Sequence, residues 1–320
     1  MSSNMDLIRN IGLVPVIVIE DSSKAVPLAK ALCKGGIPIA EVTFRTAAAK
    51  DAIQAMAENV PEILVGAGTI HSVEQAKTAV AAGAKFIVSA GINADVVRWC
   101  NDNSIDVFPG CACPSDIETA ISLGLKTVKF FPAESYGGVK TLKAFSGPYY
   151  DIKFMPTGGI NENNVNDYLA LDGVLACGGA WMAPQALIEA GEFDKIAVLC
   201  QTALAKTLGF ELGHIGINTQ DDIGAEKAAN AFASLFSLPV MESPGSYFAG
   251  TMVEIMKGKF LGTMGHIAVL TNNTERAVAY FKSRGIAFDQ STENRSANGK
   301  LNTIYMKDEI GGFAIHLKQK

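Results

Sequence analysis

The chain has 320 residues, of which 48% are hydrophobic and 18% are charged, a composition typical of a globular protein with two domains or one large barrel and an extension. The net charge of −5 argues against nucleic acid or an acidic membrane surface as a partner. The first ten residues lack a signal-peptide pattern and the apolar runs are strand-sized, so we expect neither a leader nor a membrane span.

Short apolar runs alternate with Ala-rich amphipathic stretches over residues 14–177. The runs are continuous rather than alternating in polarity, which is typical of parallel strands covered on both faces. They predict strands at Val14–Ile19, Ile39–Phe44, Ile63–Val65, Lys85–Ser89, Ile105–Phe108, Thr127–Phe131, Ile152–Met155 and Val174–Cys177. The stretches between them predict helices that include Lys24–Lys34, Ala47–Glu58, Val73–Ala82 and Pro114–Leu123. Glycines suited to a left-handed cap follow three of these helices, at Gly35, Gly83 and Gly124.

Eight such strands with intervening helices, at about two dozen residues per unit, predict a (β/α)8 TIM barrel over residues 1–208. A helical stretch at Gln185–Leu208 would close it. An open doubly wound sheet is the alternative, because the number of strands does not prove closure.

A short repeat follows the predicted barrel. Gly213-His214-Ile215 with Thr219 recurs 52 residues later as Gly265-His266-Ile267 with Thr271. Each copy precedes a helical pattern and then strand-like segments, which indicates a duplicated β-α-β unit. We therefore predict a smaller α+β domain over residues 212–320.

Six cysteines are scattered without a disulfide framework, which indicates reduced thiols in a cytoplasmic protein. Cys111 and Cys113 are the one close pair. The loop that holds them offers no further thiols, so we favour ordinary packing over a metal or redox role.

Lys129 is the sharpest chemical signal in the barrel. It lies between Val128 and Phe130 in a strand that should be buried. An ammonium group that loses its hydration there becomes a neutral, nucleophilic amine more readily. A structural ion pair with Glu41 is the alternative explanation.

Other polar residues occupy the predicted carboxyl ends of strands, where a barrel places its active site. Glu41 and Thr43 share a strand face that Arg45 would continue. A carboxylate there could relay protons, and a guanidinium could hold the carboxylate of a keto acid, unless Glu41 and Arg45 only pair with each other. The glycine loops Thr157–Ile160 and Gly178–Met182 could bind an anion through backbone amides or could simply be turns.

These residues resemble successive blocks of the 2-keto-3-deoxy-6-phosphogluconate / 4-hydroxy-2-oxoglutarate aldolase family. The blocks are Leu13–Ile19, Glu41–Thr46, Val65–Thr69, Val128–Glu134 and Pro156–Ile160, within a similarity that spans Leu7–Leu208. The resemblance implies a class I aldolase, a carbon–carbon lyase that needs no metal or organic cofactor and acts on a small keto-deoxy sugar acid. It also implies a homotrimer.

The resemblance assigns roles residue by residue. Lys129 matches the Schiff-base lysine and Glu41 the general acid/base. The substrate-binding matches are Arg45 and Thr69 for the pyruvate carboxylate, Thr157 for the substrate, and Gly158, Gly159 and Gly179 for phosphate. The departures are Ala180 where a serine is usual, Ala90 where a proline is common, and Cys111–Cys113 in place of Ile-Ser-Thr. They bear on substrate choice and not on the type of reaction.

The second domain resembles the paired β-α-β-β-β modules of the glyoxalase / vicinal-oxygen-chelate superfamily. That resemblance implies one metal ligand on the first and last strand of each module, here His214, Glu254, His266 and His316. Such ligands suit Zn²⁺, Ni²⁺, Mn²⁺ or Fe²⁺. Glutamate is more usual at the position of His316, and the first module is short. A structural or interaction module is therefore the alternative.

Three functional hypotheses follow from the sequence. The leading one is an aldolase that cleaves 2-keto-3-deoxy-6-phosphogluconate or a close relative. The second is a phosphate-binding barrel isomerase or synthase in which Lys129 acts only electrostatically. The third is a barrel regulated by a metal- or ligand-sensing carboxyl-terminal module.

Overall fold

A computed structural model describes residues 3–320. The chain forms two compact units, Met1–Thr207 and Leu208–Lys320. Among the described residues, no helix is both long and apolar enough to cross a membrane.

The first unit alternates strands and helices. Its strands are β1 (Leu13–Ile17), β2 (Ile39–Thr43), β3 (Leu64–Gly68), β4 (Phe86–Val88), β5 (Asp106–Phe108), β6 (Gly110–Cys111), β7 (Thr127–Phe130), β8 (Lys153–Pro156) and β9 (Cys177–Gly179). Its helices are α1 (Ser3–Ile11), α2 (Ala25–Lys34), α3 (Ala49–Asn59), α4 (Val73–Ala81), α5 (Ala94–Asp102), α6 (Pro114–Ser122), α7 (Gly138–Phe145), α8 (Val165–Leu169), α9 (Gln185–Glu189) and α10 (Phe193–Leu208). Short 3-10 turns lie at Ser22–Lys24 and Glu134–Tyr136.

The strands of the first unit pair in parallel. One sheet has the order β5-β4-β3-β2-β1-β9 and a second has the order β6-β7-β8. A parallel bridge between Thr157 and Gly178 links the end of β8 to β9. Strands β1, β2 and β3 are buried along their whole length, as continuous apolar runs require. The sheet therefore curls into an α/β barrel, which confirms the coarse fold predicted from the sequence.

The helix ends confirm some of the predictions made from the local sequence and contradict others. Gly83 and Gly124 take the predicted left-handed conformation, with φ of 108° and 82°. Gly35 does not: its φ is −73°, and Gly36 supplies the left-handed residue instead. The single helix predicted at Gln185–Leu208 was also wrong, because Gly191 at φ 71° separates α9 from α10.

The last barrel strand lies later in the chain than predicted. The apolar run Val174–Cys177 contributes only Cys177 to β9, and Val174 makes a single bridge to Phe154. Ladder pairing with β1 begins at Cys177 and continues through Gly178 and Gly179. The apolar run identified the buried segment, but the register of pairing with β1 determined where the strand begins and ends.

The second unit contains two β-α-β-β-β segments. The first comprises β10 (Glu211–Asn218), α11 (Asp222–Phe236), β11 (Val240–Glu242), β12 (Ser246–Ala249) and β13 (Val253–Met256). The second comprises β14 (Gly265–Thr271), α12 (Thr274–Lys282), β15 (Phe288–Arg295), β16 (Leu301–Met306) and β17 (Phe313–Gln319). All eight strands form one sheet in the order β11-β12-β13-β10-β14-β17-β16-β15.

The two segments of this sheet are arranged alike. In each, the first strand pairs in parallel with the last, β10 with β13 and β14 with β17. The two first strands pair antiparallel at the centre. The helices cover separate apolar clusters, with Ala225 and Ala229 of α11 in one and Ala277 and Val278 of α12 in the other.

Candidate functional site

The barrel interior brings Lys129 of β7 and Glu41 of β2 together. The lysine Nζ lies 3.5 Å from Glu41 Oε1, and the two side chains are only 6% and 1% exposed. The same Nζ lies 5.0 Å from the centre of the Phe131 ring. Glu41 Oε2 is buried and has no hydrogen-bond partner among residues 3–320. The site therefore offers an amine beside a carboxylate oxygen that is free to handle a proton.

Strand β3 makes room for the Glu41 carboxylate. A Cβ atom at Gly68 would lie 2.4 Å from Glu41 Oε1, closer than any real contact. Thr43 Oγ1 donates a hydrogen bond of 2.8 Å to the Ile17 carbonyl, which ties the end of β2 to β1. The position of the carboxylate thus depends on a neighbouring strand as well as on its own.

Arg45 and Thr69 lie just beyond β2 and β3. Arg45 Nε donates to Thr69 Oγ1 at 3.2 Å, and Thr69 has a left-handed φ of 60°. Glu41 is therefore paired with Lys129 and not with Arg45, which was the alternative that the sequence left open. Among residues 3–320, Arg45 has no carboxylate partner. Its guanidinium can therefore donate hydrogen bonds to the carboxylate of a ligand.

The loops after β8 and β9 form the third part of the site. Gly158 and Gly159 have φ of 98° and 82°, which only glycine adopts readily. Thr157 is buried, and its amide donates to the Phe130 carbonyl at the end of β7. Within the described part of the chain, the amides of Gly159 and Ala180 donate to no other group. Free amides in glycine loops suit an anion.

Two further side chains border these loops and were missed in the sequence. A Cβ atom at Gly159 would lie 2.4 Å from Glu134 Cγ, and Glu134 accepts a hydrogen bond from Tyr168. A Cβ atom at Gly179 would meet the Trp181 ring at 1.8 Å. Gly159 is thus required by close packing as well as by backbone conformation, and Gly179 by close packing. Both side chains lie beside loops in which the sequence predicted a binding role for the glycines but not for Glu134 or Trp181.

The cysteine pair has unequal surroundings. Cys111 is buried in β6, and burial raises its pKa to about 12, whereas Cys113 is exposed at the start of α6. A thiol with so high a pKa is a slow nucleophile near neutral pH. Ordinary packing explains Cys111.

One cavity of the first unit is remote from this chemistry. It has a volume of about 490 Å³ and is lined by Ile152 and Lys153, at the amino end of β8. Lys129 and Thr157 lie toward the opposite, carboxyl end of the strands. This cavity is therefore separate from the candidate site, which is identified by the positions of its chemical groups.

The second unit gathers the four side chains predicted as metal ligands. His214 Nε2 and His266 Nε2 lie 3.0 and 3.1 Å from Glu254 Oε2 and 3.2 Å from each other. The His316 ring is centred 5.5 and 5.3 Å from those of His214 and His266. The ligand atoms of the three histidines all fall within 4.8 Å of one another. The four residues thus form one cluster on the sheet, in which the three histidines are buried and Glu254 is partly exposed.

The donor set fits a divalent metal ion. Neighbouring donors on a metal with bonds of about 2.1 Å are roughly 3 Å apart, which matches the spacing of His214, His266 and Glu254. Both ring nitrogens of His316 are buried without a partner among residues 3–320. Burial and the other two histidines lower the His316 pKa to about 3, so the ring is neutral as a ligand must be.

The charge of Glu254 also suits such a centre. Burial favours its protonated form, but hydrogen bonds from His214, His266 and Ser246 outweigh burial and hold its pKa well below the ordinary value. Ser246 Oγ donates to Glu254 Oε1 at 2.6 Å, which leaves Oε2 directed at the two histidines. The carboxylate is therefore ionised and oriented.

An α/β barrel with a buried lysine beside a carboxylate, and free amides in two neighbouring loops, has the groups of a lysine-dependent enzyme acting on carbonyl compounds. The chain belongs to the KDPG and KHG aldolase family, whose model matches residues 5–199. It is 45% identical over 204 residues to the 2-dehydro-3-deoxy-phosphogluconate aldolase of Treponema pallidum, covering 64% of this chain and 97% of that one. It is 45% identical over 192 residues to the KHG/KDPG aldolase of Escherichia coli K12, covering 60% and 90%.

A solved structure of the family is similar as well. The KDPG aldolase of Legionella pneumophila, with pyruvate captured as a covalent carbinolamine, superposes with a TM-score of 0.61. It is 37% identical, and the match covers 63% of this chain and 98% of that one. These matched lengths are close to that of the first unit alone, so the second unit is additional to the aldolase.

Proposed function

We propose that the first unit cleaves 2-keto-3-deoxy-6-phosphogluconate to pyruvate and glyceraldehyde 3-phosphate through an imine on Lys129. The observation that carries this proposal is the buried contact of 3.5 Å between Lys129 and Glu41 in a member of an aldolase family. The same chemistry would convert 4-hydroxy-2-oxoglutarate to pyruvate and glyoxylate.

The proposed reaction uses Lys129 as nucleophile and Glu41 as proton relay. The neutral amine attacks the C2 carbonyl, and Glu41 delivers the proton with which water leaves the carbinolamine. The resulting iminium accepts the electron pair of the C3–C4 bond as Glu41 takes the proton of the C4 hydroxyl, and the aldehyde departs. Protonation of the enamine and hydrolysis of the imine then release pyruvate and restore Lys129.

Substrate recognition uses the two ends of the molecule. Arg45 and Thr69, already joined by a hydrogen bond, would hold the carboxylate of the pyruvate half. Thr157, Gly158 and Gly179 would shape the other end, with the free amides of Gly159 and Ala180 donating to phosphate. Position 180 carries no hydroxyl, so backbone amides provide most of the phosphate contacts.

Reductive trapping tests the covalent step. Borohydride added in the presence of pyruvate should inactivate the enzyme and leave a reduced adduct on Lys129, located by peptide mass spectrometry. Lys129→Ala should lose both the adduct and the activity. An unlabelled protein, or full activity in Lys129→Ala, would instead support the isomerase or synthase hypothesis, in which the lysine acts only electrostatically.

We further propose that the barrel is a closed (β/α)8 TIM barrel, that the enzyme is a homotrimer and that it works in the cytoplasm. Only Pro109 separates β5 from β6, so the two can be counted as one bent strand, which gives eight. All six cysteines are free, which suits a reducing compartment. Light scattering of the purified protein would test the trimer.

A second function is favoured by the His-Glu cluster. We propose that residues 212–320 form a domain of the glyoxalase / vicinal-oxygen-chelate type that binds a divalent ion through His214, Glu254, His266 and His316. The paired β-α-β-β-β segments, the donor spacing near 3 Å and the unpartnered His316 support this assignment. A bound divalent ion would act as a Lewis acid toward an oxygen ligand.

Metal analysis tests the second proposal. Protein treated with chelator and then titrated with Zn²⁺ should bind one equivalent per chain by calorimetry, and His266→Ala should lose that binding. The matched control is His71→Ala, because His71 is exposed in the barrel unit. Equal Zn²⁺ binding by both variants, or none by the wild type, contradicts the proposal and leaves a structural module.

A further inference from the structure

A cavity lies on the sheet of the second unit next to the His-Glu cluster. It has a volume of about 300 Å³, and His214 forms part of its wall. Met241, Phe248 and Leu270 supply an apolar lining. A cavity of this size lies at the lower end of the range for ligand sites, so a small molecule fits it and a nucleotide does not.

One cation lines this cavity, and it is unpaired. Lys318 lies two residues beyond His316 on β17, so the two side chains share a face of the sheet. Over residues 3–320, no carboxylate forms an ion pair with Lys318, although Lys257 has two carboxylate partners and Lys320 has one. Lys318 is also half-buried, and a half-buried ammonium without a partner favours an anionic ligand.

The formal charges around the cavity also favour an anionic ligand. On the proposed metal function, a divalent ion and the ionised Glu254 leave one positive charge beside neutral imidazoles. Lys318 adds a second positive charge. Phosphate would need more donors than the one lysine and the Thr251 hydroxyl in the lining, whereas a carboxylate needs few.

We propose that this cavity binds a small monocarboxylate with an apolar body. The carboxylate pairs with Lys318, and the hydrocarbon part packs on Met241, Phe248 and Leu270 beside His214. The proposal rests on the proposed metal function only for the added positive charge, because the cavity and Lys318 are present without an ion.

The probe is 4-methylpentanoate, which has no ketone and so cannot form an imine with Lys129. Binding to the full-length protein is followed through the ¹³C-labelled methyl resonance of Met241, assigned with Met241→Leu. We expect saturable shifts, with Lys318→Met weakening the affinity about tenfold or more, the loss of one charge-assisted hydrogen bond. Lys282→Met, at an exposed lysine of α12, should leave the affinity unchanged.

The outcomes separate the two proposals for this unit. Zn²⁺ binding without a probe-dependent shift of Met241, or with a shift that Lys318→Met leaves intact, overturns the carboxylate site alone. A shift that depends on Lys318 in protein that binds no Zn²⁺ supports the carboxylate site and overturns the metal centre. Equal binding of 4-methylpentanamide, or tighter binding of inorganic phosphate, also overturns the carboxylate assignment.

Discussion

Lys129 and Glu41 are two charged groups inside an apolar barrel, and each would be costly there alone. Their contact offsets part of that cost. Because one carboxylate oxygen stays without a partner, the pair retains a group that can exchange protons with a substrate. A purely structural ion pair would be expected to use both oxygens.

The substitution Glu41→Gln tests whether Glu41 relays protons during the reaction. The amide keeps the shape of the side chain but cannot take up a proton, so kcat should fall by about 100- to 10,000-fold while KM changes little. Steady-state kinetics with 2-keto-3-deoxy-6-phosphogluconate measures the effect. Slow borohydride trapping on Lys129 should persist, and a kcat within threefold of wild type would exclude Glu41 as the proton relay.

Ala180 sets the expected balance between phosphorylated and unphosphorylated substrates. A serine there would add a hydroxyl beside the free amide, and a hydrogen bond to a charged group is worth about 1.5–3 kcal/mol. Ala180→Ser should therefore raise kcat/KM for the phosphorylated substrate by about tenfold or more. The rate with 4-hydroxy-2-oxoglutarate, which has no phosphate, is the internal control, and an equal rise for both substrates would contradict a phosphate contact.

At the scale of elements, one strand positions the chemistry of another. The register of the two strands pairs Glu41 of β2 with Gly66 of β3, and the Glu41 carboxylate occupies the space that a Cβ atom at Gly68 would fill. The glycine loop after β8 shows the same dependence, since Gly159 accommodates Glu134 of the turn that follows β7. Glycine is required at these positions of the barrel because a side chain of a neighbouring element fills the space that a Cβ atom would need.

Gly68→Ala should therefore damage catalysis more than folding. The new methyl would overlap Glu41 Oε1 and push the carboxylate away from Lys129, so we expect kcat to fall at least tenfold, in proportion to the loss of a positioned acid/base group. Gly147→Ala is the matched control, because its Cβ would meet nothing closer than 4.0 Å. Thermal unfolding checks that both variants fold, and normal kcat in folded Gly68→Ala would contradict this account.

At the scale of the whole molecule, the chain combines an aldolase barrel with a second unit of its own architecture. The relatives from Treponema pallidum and Escherichia coli match 204 and 192 residues, about the length of the first unit. Aldolase chemistry through an imine needs no metal. The aldolase reaction therefore does not require the histidine cluster of the second unit.

A shortened chain of residues 1–207 should keep the aldolase activity. We expect its kcat/KM to stay within about threefold of the full-length value, because every proposed catalytic and substrate-binding group lies in that unit. Chelator should leave the aldolase rate of both proteins unchanged. A folded but inactive short chain, or a full-length rate that follows Zn²⁺ occupancy, would favour a barrel regulated by its second unit.

The sequence by itself determined the features that rest on local pattern. Continuous apolar runs identified the barrel strands, a lysine inside one of them identified the proposed nucleophile, and a motif that recurs after 52 residues identified the second unit. Left-handed glycines were predictable at Gly83 and Gly124, where the helix and its cap are close in sequence. Each of these signals lies within a short stretch of chain, so propensity and periodicity are sufficient to find it.

Only the tertiary structure decided which of these groups meet. Lys129 and Glu41 are 88 residues apart, and Arg45 bonds Thr69 rather than Glu41 because β2 and β3 end side by side. The tertiary structure also decided where β9 starts and where Gly191 divides the predicted helix. It likewise showed that the two ring nitrogens of His316 have no partner among the described residues. The physical reason is common to all: strand register, close packing and burial depend on contacts between distant segments, which no local pattern records.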